Sequence, residues 1–92
     1  MLLLRQLPGR FDDWLVCMVS SQLDQEVQGF DEVIRDADED FGRSGLKVTS
    51  VLRVSRLAVV ESSVLIGAVG VVSPDRLHGI RARLAQWIGD GV

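Results

Sequence analysis

The sequence predicts a small α+β domain with its strands first and one docked helix last. Three observations carry this. Ninety-two residues, 47% of them hydrophobic, allow one compact core near the lower size limit for a self-sufficient domain. β-branched and aliphatic residues crowd into short runs through the first two thirds of the chain. After Ser73-Pro74, apolar residues recur at helical spacing.

Taken in order, residues 1–7 form an apolar run that stops at the turn pair Pro8-Gly9, and residues 14–22 form a second. Two adjacent strands joined by a loop are implied. Trp14 to Val19 is apolar at both parities, the pattern of a strand covered on both faces. Ser20-Ser21-Gln22 gives it a polar exit, a place where side chains reach a ligand. Between Asp24 and Leu46 two readings compete. Phe30, Val33, Ile34, Ala37 and Phe41 fit helical spacing, while Val27 to Ile34 reads equally as a short edge strand. We favour the strand, followed by an acidic turn or short helix over 36–45. There Asp36 and Glu39 have the form of a capping box, and Gly45 stands where a left-handed C-terminal cap is wanted.

Residues 48–60 predict a long, bent strand, with Leu52 and Val54 on one face and Arg53 and Ser55 on the other by the two-residue period. Glu61-Ser62-Ser63 supplies a turn, and 64–72 the last strand. Gly67 and Gly70 mark a bulge or a close backbone approach within it. The spacing then predicts a helix over 74–88. Ser73 is its N-cap, Pro74 occupies the first position where a missing N–H costs nothing, and Asp75 complements the dipole. Leu77, Ile80, Leu84, Trp87 and Ile88 make one apolar stripe and Gly89 ends the helix. The whole stripe, Trp87 included, is expected to pack on the sheet with no ligand role.

Composition narrows the function. The longest apolar run, 64–72, contains two glycines and falls far short of the roughly 20 residues of a membrane-spanning helix. The run Met1-Leu2-Leu3-Leu4 lacks a basic region before it and a cleavage-site pattern, so a cytoplasmic protein without a membrane partner is expected. Cys17, the single cysteine, builds neither a disulfide nor a thiolate metal site within the chain and reads as a buried small hydrophobe. Asp36, Asp38 and Asp40 alternate as calcium-loop ligands do, but Phe41 stands where the loop glycine belongs and Lys47 where the bidentate glutamate belongs. His78 lies opposite the apolar stripe and reads as a surface residue. No metal or cofactor is expected, and no phosphate-cradling glycine loop or nucleophile elbow occurs.

Formal net charge is −3, the wrong sign for binding nucleic acid by bulk attraction. The acids, however, cluster in Asp24 to Asp40, whereas Arg43, Lys47, Arg53 and Arg56 follow one another in mid-chain. A local basic patch survives the acidic total. Ser20, Ser21 and Arg53 project from elements that would be neighbours in a small barrel.

The strand Trp14-Leu15-Val16-Cys17-Met18-Val19 ending in Ser20-Ser21-Gln22 resembles the MazF/PemK family of toxin ribonucleases. So do Asp40 to Arg53, Arg56-Leu57, Gly67-Ala68-Val69-Gly70 and the final helix, and the likeness covers most of residues 1–88. Its most specific parts are the hydroxyl pair plus Gln and the segment Ser44-Gly45-Leu46-Lys47 leading into Ser50-Val51-Leu52-Arg53. The resemblance implies an SH3-like barrel of mostly antiparallel strands with a C-terminal helix, usually a homodimer. It also implies the toxin of a type II toxin–antitoxin system, partnered by a cognate antitoxin, which inhibits growth by cutting single-stranded RNA without a metal. Ser20 and Arg53 match the catalytic hydroxyl and arginine; Ser21, Gln22 and Arg56 are the accompanying RNA-binding candidates.

The departures matter as well. PemK-type members carry an acid two residues after the arginine, where this chain has Ser55. Members also carry a strand, a loop and an Arg-Pro pair ahead of the strand that 1–7 resembles, so the likeness implies a chain lacking that first strand and arginine, expected to cleave poorly. Two alternatives share the fold: a non-catalytic antitoxin-binding or dimerisation module, and a gyrase-poison-like toxin that acts by binding a protein.

Overall fold

The computed structural model describes residues 1–65 and 70–91. Four strands, β1 (Leu2–Gln6), β2 (Asp13–Ser20), β3 (Glu32–Ile34) and β4 (Ser50–Glu61), precede one helix, α1 (Pro74–Gly89). They form a single antiparallel sheet in the order β1-β2-β4-β3, curled into a half-barrel. The α+β class and the antiparallel pairing agree with the sequence.

β2 is the centre of the sheet because it is apolar on both parities. Val16 and Cys17, successive residues that face opposite sides, are both fully buried. Irregularities curl the sheet. On β1 the register shifts between Leu3 and Arg5; Leu4, the extra residue, is buried in the core and its carbonyl accepts a hydrogen bond of 2.6 Å from Arg81 Nε of α1. A bulge that frees a carbonyl from the ladder thus becomes an attachment point for the helix. On β4 the shift is larger. Cys17 pairs with Leu57 but Met18 pairs with Arg53, so Val54, Ser55 and Arg56 have no counterpart on β2. This is the bend expected of the long strand.

α1 begins as its sequence dictates: Ser73 is extended, its Oγ accepts from Arg76 N at 3.1 Å, and Pro74 opens the first turn. Ile80 and Leu84 enter the core with Leu4, Cys17, Ile34, Leu52 and Val54, and Leu77 packs against them. Trp87 and Ile88 do not follow. They are 60% and 62% exposed, and Trp87 instead meets the Phe30 ring at 5.5 Å. Sixteen residues of helix extend about 24 Å, and the last turn runs past the core.

Other expectations need correction. The described part of 64–72 is not a strand: Ser62–Leu65 is a 3-10 turn, and residues 70–72 lie outside any strand. Gly67 lies outside the described residues. Gly70 does mark a close approach, because at φ 132° a Cβ there would lie 2.1 Å from the Ser44 carbonyl oxygen, while Val71 N bonds to Arg43 O. Of the two readings of 36–45 the turn is found and the short α-helix is not: the segment is turns around a 3-10 turn, Phe41–Arg43. Asp36 caps nothing; Asp38 reaches back to accept from the Arg35 amide and its own amide donates to the Arg35 carbonyl, closing a turn in place of a helix start. β2 ends at Ser20, leaving Ser21 and Gln22 beyond the ladder.

Candidate functional site

Two arginine-centred sets of polar side chains stand out. The first joins α1 to the acidic segment. Arg76 Nε and Nη2 grip Asp40 Oδ2 and Oδ1 at 2.8 and 3.0 Å. Nη2 also reaches Asp38 Oδ2 at 2.9 Å, and Nη1 reaches Glu32 Oε2 and the Val33 carbonyl at 3.1 and 3.2 Å. Arg83 completes it by bonding Glu32 Oε1 and Phe30 O. Every nitrogen of Arg76 is engaged. Its bonds hold the Asp40 carboxyl down at about 2. Asp38 is also lowered, first by the Arg35 amide and then by Arg76. Asp40 Oδ2 also accepts from Ser73 N at the start of α1. This acid–arginine set is architecture, and it engages Glu32, Asp38 and Asp40 of the acidic cluster.

The second set lies on the sheet. Met18 is opposite Arg53 and Ser20 opposite Val51. Directly opposed residues share a face, as do residues two apart on a strand. Ser20 and Arg53 therefore share a face on a diagonal, away from Val19 and Leu52 on the core side. Ser20 Oγ accepts from Gln22 N at 3.0 Å, which fixes the strand end and leaves the hydroxyl hydrogen to donate. Arg53 Nη1 donates to Gln25 Oε1 at a long 3.3 Å. Its Nε is shielded from solvent without a partner among the described residues. A guanidinium so sparsely satisfied, beside a hydroxyl donor, offers a place for an anionic oxygen.

Of the residues singled out from the sequence, Ser20 and Arg53 lie diagonally on one face of the sheet. Ser21 and Gln22 are exposed just past β2, and Arg56 is exposed in the unmatched segment of β4, displaced from the pair. Sequence reasoning missed Gln25, on the 3-10 turn Leu23–Gln25. It missed Asp31 too, whose carboxylate is buried beneath the β4 bend. Asp31 left a signal: an acid next to Phe30 and near Val33-Ile34, in a segment otherwise headed for the core. Arg76 left one as well, because a cation in the first helical turn opposes the dipole unless acids surround it.

The remaining reactive groups stand apart. Burial pushes the Cys17 thiol up to about 11, so it stays protonated and inert at neutral pH. His78 is exposed on α1. Among the described residues no cluster of His, Cys, Asp and Glu is arranged to hold a metal. What the fold and the site define is a small antiparallel half-barrel with a docked helix and an arginine–hydroxyl face. No family model matches the chain, and no curated protein or solved structure matches it.

Proposed function

We propose that this chain is a toxin domain similar to the MazF/PemK family, on an SH3-like barrel, which holds single-stranded RNA by a backbone phosphate placed between Ser20 and Arg53. The observation that carries the reading is their shared face together with the unfilled donors of Arg53. A phosphate bridges Arg53 Nη2, which donates to nothing among the described residues, and the Ser20 hydroxyl.

In the cleavage reaction of such toxins the ribose 2′-OH attacks the adjacent phosphorus and the P–O5′ bond breaks. A cyclic phosphate and a 5′-hydroxyl result, the proton passing from the 2′-OH to a base and from an acid to the leaving oxygen. Arg53 supplies charge stabilisation in that scheme. The base is the weak point. Ser55 stands where the family pattern has an acid, and Asp31, bound to Ser55, has both oxygens engaged. No Arg-Pro pair occurs in these 92 residues. RNA binding stronger than RNA cutting is the expected behaviour. The test is titration with a short oligouridylate at several salt concentrations, alongside a search for cyclic-phosphate ends. Binding that weakens with salt and is lost in Arg53→Ala supports the reading; equal binding by wild type and Arg53→Ala overturns it.

A second reading, an interaction module that binds an antitoxin or a second copy, is favoured by a different observation. Leu57 and Val59 on β4 and Trp87 and Ile88 on α1 are exposed. It replaces the first if the folded chain binds no RNA.

A further inference from the structure

We propose that Asp31 is a positioning residue that holds Arg53 ready for an anion, an inference that rests on the phosphate reading of the Ser20–Arg53 face. Asp31 is 5% exposed, so its carboxylate must be satisfied from within the protein. Three donors do this. Oδ1 accepts from Ser55 N at 2.8 Å; Oδ2 accepts from Ser55 Oγ at 3.0 Å and from Val27 N at 2.9 Å.

The identity of those donors gives the carboxylate its role. Ser55 belongs to the stretch of β4 that has no counterpart on β2, so its amide has no ladder partner there and needs one from elsewhere. It also lies two residues after Arg53. Val27 lies two residues after Gln25, whose side chain accepts the hydrogen bond from the Arg53 guanidinium. Asp31 therefore ties together the two backbone segments that carry Arg53 and its partner. The ring closes through Ser55, Arg53, Gln25 and Val27. With the bend pinned at Ser55, Arg53 is kept on the Ser20 face. With the loop pinned at Val27, Gln25 takes only Nη1 of the guanidinium and leaves Nη2 for a ligand. A bend this large would otherwise be free to shift register, which turns a strand residue to the opposite face.

The chemistry of Asp31→Asn makes the test specific. Asparagine keeps the shape and one acceptor oxygen, which serves Ser55 N, but it places an NH2 donor against the Val27 N–H donor. The Val27 end is released and Gln25 with it. Arg53 then loses its fixed position while core packing stays the same.

Three measurements on the full chain decide it: the Arg53 Nε–H resonance by NMR, affinity for a short oligouridylate, and the salt dependence of that affinity. Asp31→Asn is expected to move the Arg53 resonance and to weaken RNA binding by about tenfold, the loss of one charged hydrogen bond. The salt slope should fall by about 0.7, the value of one phosphate contact on a single strand. Asp31→Asn combined with Arg53→Ala should bind no more weakly than Arg53→Ala alone. A merely structural carboxylate would lower the unfolding midpoint without changing the salt slope. An Asp31→Asn protein that folds with the Arg53 resonance unmoved and RNA binding intact overturns the proposal. Should that variant fail to fold, Gln25→Ala cuts the same ring at its contact with Arg53; an unmoved Arg53 resonance with RNA binding intact there is equally fatal. If Arg53→Ala binds RNA as wild type does, the phosphate reading fails by itself, and the resonance alone decides whether Asp31 positions Arg53.

Discussion

Arg76 and Arg53 are both partly buried arginines, and they stand in opposite states. Arg76 has carboxylates on all sides and no free donor. Arg53 has one long bond to an amide oxygen and a shielded Nε with no partner among the described residues. A guanidinium brings five N–H donors in a fixed fork, and a protein that encloses one must answer them. Where they are answered internally the arginine holds the fold together. Where they are left open, as at Arg53, the proposed phosphate would be the acceptor.

The largest effect should come from breaking the saturated arginine. Arg76→Ala leaves Asp40, Glu32 and Asp38 facing one another with side chains only 11%, 20% and 34% exposed. Removing one partner of a buried ion pair costs roughly 3–5 kcal/mol, because the other charge stays desolvated. Arg76 and its three carboxylates all keep some contact with water, so a loss below that range is expected. Urea denaturation should show it as a large fall in midpoint. A midpoint close to wild type would mean that the acid–arginine set is a surface feature, and the contrast with Arg53 would disappear.

Next in size is the contrast within α1. Leu84→Ala should cost roughly 2–5 kcal/mol, since Leu84 is 5% exposed in the core. Ile88→Ala, four residues on, should change stability by no more than about 0.5 kcal/mol, because Ile88 is 62% exposed. Equal losses in the two variants would place the last helical turn against the core after all.

α1 also shows what the sequence discloses and what it withholds. Cap, first turn and period are local chemistry, so the start and course of the helix were legible from Ser73-Pro74 onward. Where the stripe stops being core is not local. Leu84 and Ile88 occupy equivalent helical positions, and only the extent of the sheet below separates them. The described ends of the run 64–72 depart from expectation for a similar reason: these residues favour strands, but strand propensity means fitting a half-buried pleated surface. Val64 and Val71 are 60% and 61% exposed, with no such surface under them. In the site, the shared face of Ser20 and Arg53 was legible because strand parity is a period of two. Asp31 was not, because its partners lie at residues 27 and 55, and that pairing exists only once the β4 bend has formed.

Acid should weaken the saturated set in a defined window. The Asp40 carboxyl is lowered from 3.8 to about 2, chiefly by its bonds to Arg76. A carboxyl depressed in the folded state contributes stability that is fully present above its unfolded value. That contribution is lost as pH falls from about 3.8 toward 2. Urea midpoints between pH 5 and 2 should decline in wild type, and the decline should be shallower in Asp40→Asn, which starts lower because its bonds to Arg76 are already weakened. Identical slopes would show that Asp40 does not carry the acid sensitivity.

The smallest effect on stability, and the largest on binding, is expected at Arg53. Arg53→Ala removes one long hydrogen bond and the packing of an aliphatic stem, so the unfolding midpoint should shift by no more than about 1 kcal/mol. Arg53→Lys separates charge from geometry. Lysine keeps the positive charge but presents a point of charge in place of a fork, and it has no nitrogen at the Nε position. If Arg53 acts only by long-range attraction, Arg53→Lys should bind an oligouridylate as wild type does. If the terminal guanidinium N–H groups grip a phosphate as a fork, lysine should recover only part of the affinity lost in the alanine variant, and the remainder should persist at high salt, where attraction between exposed charges is screened. The same experiment in an Arg76→Lys background would blur the outcome, because that substitution disturbs the fold itself. Clean behaviour at Arg53 beside damage at Arg76 is what separates an arginine held open for a ligand from one enclosed by the protein.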